Sequence, residues 1–188
     1  LRQEIFHPKK SKIGENIDIF ITAGNQGSHT INLLIKQILP ELKNYFIIHQ
    51  TGKNDFANFK KLTSIYPKYK AFDYLESNNI AHVLNKTNLI ISRSGANTSQ
   101  EIVALNKKSI LIPLKVSQQN EQLLNALWAK EKNPKITEII EEKDLSKENI
   151  LNKINKLITI KTKKITTKNT DNLKLLNLIH EITGLETK

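Results

Sequence analysis

Residues 88–106 read NLIISRSGANTSQEIVALN. An apolar run from Asn88 to Ser92 is followed by a polar loop, and EIVALN then reads as the first turns of a helix. Arg93, Ser94, Gly95, Asn97, Thr98 and Glu101 are thus gathered at the carboxyl end of a strand. In an open α/β sheet that is where ligands bind, against unpaired backbone N–H groups at a helix N-terminus. Two readings of the loop compete. Thr98 and Glu101 have the spacing of a capping box, in which hydroxyl and carboxylate serve only the helix. Alternatively, a loop of small residues leaves helix amides open to a diphosphate, and Glu101, one turn further on, takes ribose hydroxyls. The capping box leaves Arg93, Ser94 and Gly95 unexplained. On these residues alone both readings stay open.

Working outward, strands and helices alternate along the chain. IDIFIT (17–22), YFIIH (45–49), a short run at 69–72, 88–92, SILIPL (109–114) and 135–138 read as strands. Between them lie helical patterns. The one from His29 has Ile31, Leu34, Ile35, Ile38 and Leu39 on one face, and the others fall at 55–65, 79–84, 98–105, 118–130 and 147–158. Strands alternating with helices specify a parallel sheet, and near-continuous apolar strands specify cover on both faces. The expected fold is a doubly wound, Rossmann-like α/β domain over 13–159. Residues 1–12 read as a linker segment. Residues 160–188 read as a basic, Thr-rich linker and a terminal helix, Asp171 to Thr183, with Leu175, Leu176, Ile179 and Ile182 on one face.

Composition narrows the class. The chain has 188 residues, 38% hydrophobic, with no cysteine, so disulfides and thiolate metal sites are excluded. No apolar run reaches the roughly 20 residues needed to span a bilayer. There is also no methionine and the first residue is Leu1, as expected of a segment cut from a longer protein. The net charge is +11, which favours anionic partners. Yet the cations are nearly all lysine, with Arg2 and Arg93 the two arginines. Planar recognition of bases and phosphates favours arginine, so no nucleic-acid partner is expected.

Four segments fall on the carboxyl edge of such a sheet: GNQGS (24–28), HQTGK (49–53), SRSGANTSQE (92–101) and SQQNEQLLNA (117–126). GNQGS lacks the dinucleotide spacing but has two glycines that permit a sharp turn and close approach. His49 ends a strand, and a structural histidine is the expectation there. Gln118, Gln122 and Asn125 share a helix face, suited either to solvent or to sugar hydroxyls. There is no P-loop, no catalytic triad and no grouping with metal-ligand spacing, so neither metal nor cofactor is expected.

AGNQGS, HQTGK, RSGANTSQE and QLLNA, in this order over nearly the whole chain, resemble the MurG-type N-acetylglucosaminyltransferases of glycosyltransferase family 28. That family's pattern includes GGSQGA, HQ-S/T-GK, RSGA-x-T-x-x-E and Gln-x-x-Asn-Ala. LRQEI resembles the tail of its GNPVR-x-E-I interdomain segment. The resemblance implies the C-terminal, donor-binding half of a GT-B enzyme. Arg2 would then lie near the uracil or diphosphate. Asn25, Gln26 and Gly27 would meet the phosphates, with Asn25 standing where the family has serine. Gly95, Ala96, Asn97 and Thr98 would present amides and a hydroxyl to the diphosphate. Glu101 would take the ribose hydroxyls, and Gln122 and Asn125 the sugar, with Glu121 standing where the family often has Gln or His. Leu75 would lie at the uracil. The implied reaction is inverting transfer of N-acetylglucosamine from UDP-N-acetylglucosamine to a lipid-linked muramyl-peptide acceptor, lipid I to lipid II, in peptidoglycan synthesis. The implied partners are an N-terminal acceptor-binding domain, which would supply the base, and a lipid acceptor met at the inner face of the cell membrane by a cytoplasmic, peripheral enzyme. The isolated chain would bind donor but turn over little.

Two alternatives accompany this. One is a donor subunit of a split or related lipid glycosyltransferase, or a nucleotide-sugar epimerase of the same half-fold. The other is a basic, non-enzymatic module for nucleic acid or anionic membrane, for which Lys161, Lys163, Lys164 and Lys168 speak.

Overall fold

The computed structural model describes residues 2–115 and 120–162. Gln118, and the terminal helix expected at 171–183, lie outside the described residues. The strands are β1 (Ile17–Thr22), β2 (Ile47–Gln50), β3 (Tyr69–Phe72), β4 (Thr87–Ser92), β5 (Lys108–Leu111) and β6 (Thr137–Ile139). The helices are α1 (His29–Ile38), α2 (Lys53–Leu62), α3 (Ser77–Lys86), α4 (Ala96–Ala104), α5 (Glu121–Lys132) and α6 (Lys147–Ile158). All the strand pairings are parallel, in the order β3-β2-β1-β4-β5-β6. This is the Rossmann order, and its topological switch point lies between β1 and β4.

The isoleucine-rich strands build two cores because successive side chains alternate faces. Ile19 and Ile21 of β1 join Leu89 and Ile91 of β4 under Ile31, Ile35 and Ile38 of α1 and Ile150, Ile154 and Leu157 of α6. Phe20 and Ile90 face the other way, toward Ile80, Val83 and Leu84 of α3, Ile102 and Val103 of α4, and Ala126 and Ala129 of α5. Burial on both faces is what the unbroken apolar runs demand.

Residues 2–12, expected as a linker, lie along α3. Gln3–Ile5 forms a short 3-10 turn, and Ile5 is fully buried with the α3 core. Asn85 Nδ2 donates to Ile5 O at 2.7 Å, and Ser11 Oγ donates to Asn79 Oδ1 at 2.8 Å. Element ends moved by a few residues from their expected places. β5 stops at Leu111, because Pro113 cannot continue a ladder. The largest consequence is at α4, which begins at Ala96 and not at Thr98.

Candidate functional site

Two loops on the carboxyl edge are locked together by backbone. After β1, Gly24 and Gly27 take φ of +79° and +74°, and after β2 Gly52 takes +79°. A Cβ on Gly27 would lie 2.0 Å from Thr51 O, and one on Gly52 would lie 2.2 Å from Gln26 O. Glycine is therefore required at both positions, by conformation and by contact. Gln50 Nε2 donates to Gly24 O at 2.9 Å, which ties the strand end to the turn above it.

Behind these loops runs a buried polar chain. Asn32 Nδ2 donates to Thr51 O and Asp55 Oδ2, so its Oδ1 is the acceptor facing His49 Nε2 at 3.0 Å. His49 therefore donates from Nε2 and accepts at Nδ1 from Tyr69 O–H, at 2.8 Å. Burial pushes the pKa of His49 down to about 3, against the pull of Asp55. Asp55 also receives His29 Nδ1 at 3.0 Å. His49 is a structural residue, as the sequence suggests, and every polar atom of its ring is used.

The loop after β4 is held from below and open above. Arg93 Nη1 donates to Ile112 O and Pro113 O, and Nη2 donates to Ser28 Oγ at 2.9 Å and pairs with Glu142. This guanidinium thus ties the loops after β1, β4 and β5 to one another. Ser94 is buried, and its Oγ donates to Gln122 O at 2.7 Å. Asn125 Nδ2 donates to Ser94 O at 3.2 Å, and Leu114 N donates to Gln122 Oε1 at 3.0 Å. The face of α5 that carries Gln122 and Asn125 is therefore turned to this loop and not to open solvent.

The capping-box reading of Thr98 and Glu101 is overturned. Gly95 is the residue before the first helical turn, and no side chain caps it. Thr98 lies inside the helix. The first helical bond runs from Ser99 N to Gly95 O, so the amides of Ala96, Asn97 and Thr98 have no intrahelical acceptor. The macrodipole adds positive potential at the same point. Glu101 reaches no amide of its own helix. Its Oε1 accepts from Arg2 Nε and its Oε2 from Arg2 Nη2, both at 2.6 Å. Glu101 is fully buried, and the side chain of Arg2 is 29% exposed. Hydrogen bonding to Glu101 raises the Arg2 pKa above its ordinary value, against the opposing effect of burial.

A cleft of about 890 Å³ is lined among others by Lys10, Lys12, Asn25, Lys53, Tyr74 and Leu75, and not by Arg2, Glu101 or the residues that open α4. Asn25 and Leu75, both singled out from the sequence, meet there. Leu75 is 2% exposed, with its side chain in the α3-side core. Gln26 carries the carbonyl that packs on Gly52, and Gly27 packs on Thr51. Both therefore lie where the loops after β1 and β2 meet. Lys10, Lys12 and Tyr74 were not foreseen. The KKSK run at 9–12 was the available signal, but a run of lysines in a linker reads equally well as solvated surface. Among the described residues no group of His, Cys, Asp or Glu could hold a metal ion.

Residues 18–182 match the family model of the glycosyltransferase family 28 C-terminal domain. The chain belongs to this family. Among its relatives is a UDP-N-acetylglucosamine–N-acetylmuramyl-(pentapeptide) pyrophosphoryl-undecaprenol N-acetylglucosamine transferase of Clostridium tetani. It is 36% identical over 172 residues, which are 90% of this chain and 46% of the relative. The transferase of the same name from Clostridium novyi is 33% identical over 199 residues, 100% of this chain and 53% of the relative. The chain thus spans about half the length of the curated relatives it matches. In fold it is similar to the crystal structure of Acinetobacter baumannii MurG, with a TM-score of 0.61 at 21% identity, covering 92% of this chain and 48% of that one. The family 28 domain and the six-stranded Rossmann-like sheet therefore agree.

Proposed function

We propose that this chain is the donor-binding half of an inverting transferase that moves N-acetylglucosamine from UDP to a lipid-linked muramyl-peptide acceptor. The observation that carries the proposal is the open N-terminus of α4 at the switch point, with three amides lacking helical acceptors one turn from Glu101. The diphosphate would lie on the amides of Ala96, Asn97 and Thr98, next to Gly95. Asn25 would approach it from the facing loop. The two ribose hydroxyls would donate to Glu101. The uracil would enter the cleft and meet peptide groups beside Leu75. Gln122 and Asn125, which already brace the β4 loop, would present the sugar with amide groups.

The chemistry asked of such a half-site is electrostatic. As the glycosidic bond breaks, negative charge grows on the departing diphosphate. Fixed N–H donors and a helix dipole stabilise that charge without reorganising. The acceptor hydroxyl and its base must come from elsewhere, from an acceptor-binding domain across the cleft. Placing both substrates together is the other large part of the rate. The chain by itself is expected to bind donor and turn over little or nothing. No described helix is long and apolar enough to cross a membrane. We place the working enzyme at the inner membrane face, held there by its partners and its lipid substrate.

The reading of a basic nucleic-acid module loses ground, because Arg2 and Arg93 are both engaged in ion pairs within the domain.

Thermal unfolding with UDP-N-acetylglucosamine, UDP and ADP tests the proposal. A ligand at about 100 times its Kd adds about 2.7 kcal/mol, a rise of roughly 5–10 °C for a domain of this size. Both uridine ligands should raise Tm and ADP should not. Glu101→Gln should abolish the rise. A response equal for all three nucleotides, or one that survives in the variant, would refute the placement.

A further inference from the structure

The proposed donor site contains a conflict. Glu101 is the group offered to the ribose, yet both its oxygens are taken by Arg2 and it has no exposed surface. A carboxylate buried within α4 needs a partner, since an unpaired buried charge is costly. Arg2 provides one by the parallel fork of Nε and Nη2. A vicinal diol offers the same pattern, two adjacent donors to two oxygens.

We propose that Arg2 is a displaceable counter-ion of Glu101, a stand-in for the ribose diol that the nucleotide must replace in order to bind. The inference rests on the donor-site reading above. It makes Arg2 a specificity-determining residue. A ligand with two hydroxyl donors restores both bonds that Arg2 gives up, whereas a ligand with none leaves the carboxylate stripped and is disfavoured.

Displacement also has a mechanical consequence. Arg2 O accepts from Ile5 N, so the residue that leaves Glu101 immediately precedes the 3-10 turn along α3 and accepts its hydrogen bond. Ile5 is held independently, by its buried side chain and by Asn85. Freeing Arg2 therefore opens the turn ahead of Ile5 while Ile5 remains seated. Donor occupancy and the freedom of residues 2–4 become one equilibrium.

Amide hydrogen exchange on the unmodified chain decides the matter, with UDP and 2′,3′-dideoxy-UDP as probes. Both are used at concentrations that protect the amides of residues 96–98 equally. UDP should speed exchange at the Ile5 amide, and the dideoxy nucleotide should leave it unchanged. Arg2→Ala, which removes the competitor, should bind UDP about tenfold more tightly, as expected when a fractionally open site is made fully open. If UDP slows exchange at Ile5, or if Arg2→Ala weakens UDP binding, Arg2 is part of the bound complex and the proposal is wrong. If neither nucleotide protects residues 96–98, the donor-site reading itself fails, a result distinct from the other two. Should Arg2→Ala not fold, the exchange data on the unmodified chain suffice.

Discussion

Two glycine-bearing stretches of one sheet edge behave in opposite ways. The loops after β1 and β2 are closed on each other. Gly27 and Gly52 bring backbone against backbone, and Asn32, Asp55, His49 and Tyr69 use up the polar groups behind them. The loop after β4 is braced beneath by Arg93 and Ser94 but open at its upper end, where α4 begins without a side-chain cap. The proposed donor site would use both: a wall of locked backbone and a helix end whose amides lack helical acceptors.

The sharpest way to break this contrast is to make one substitution on each side of it. Gly27→Ala or Gly52→Ala drives a methyl into backbone oxygen at a positive φ and should cost about 3–5 kcal/mol, read as a fall in Tm. Next comes the polar chain. His49→Leu strands Tyr69 O–H and Asn32 Oδ1 and should cost about 3 kcal/mol.

The same histidine sets a pH dependence. Its folded pKa is pushed down to about 3 by burial, below the ordinary value of about 6.5 in the unfolded chain. The unfolded state therefore takes up the proton first. The contribution of His49 is complete above about pH 6.5 and is lost as pH falls toward 3. Urea unfolding between these limits should show a steeper loss of stability in the parent than in His49→Leu.

Arg93→Lys should cost about 2 kcal/mol by chemical denaturation, because an ammonium cannot serve Ile112 O, Pro113 O, Ser28 Oγ and Glu142 at once. The smallest effect belongs to the open side. Gly95→Ala meets nothing within 4 Å and should leave stability within about 0.5 kcal/mol of the parent. A large loss there would mean that the β4 loop is as tightly packed as its neighbours, and the contrast would fall.

Much of this was legible without coordinates. Alternating isoleucine runs and helical faces specify a parallel sheet covered on both sides, and glycine-bearing loops after its strands locate the carboxyl edge. These signals are local, because periodicity and turn chemistry act over a few residues. The capping box stays open as an alternative in the sequence for the same reason. Thr98-x-x-Glu101 satisfies the local rule, but the helix starts at Ala96 and the carboxylate turns away to Arg2. Gly95 and Ala96 carry no side-chain signal strong enough to mark that start.

The amino-acid sequence by itself determined the fold class and the strand–loop–helix units, and its motifs named the residues proposed to meet a diphosphate and a ribose. Tertiary structure alone decided which of them are still available. Arg2 and Glu101 are 99 positions apart, and their pairing exists only because Ile5 seats the first residues along α3 while the β4 loop places α4 beside them. Arg93 likewise faces Ser28 and Glu142 across 65 and 49 positions. Charge pairing is short in range, so partners far apart in sequence meet only where the packing of the whole chain brings them together.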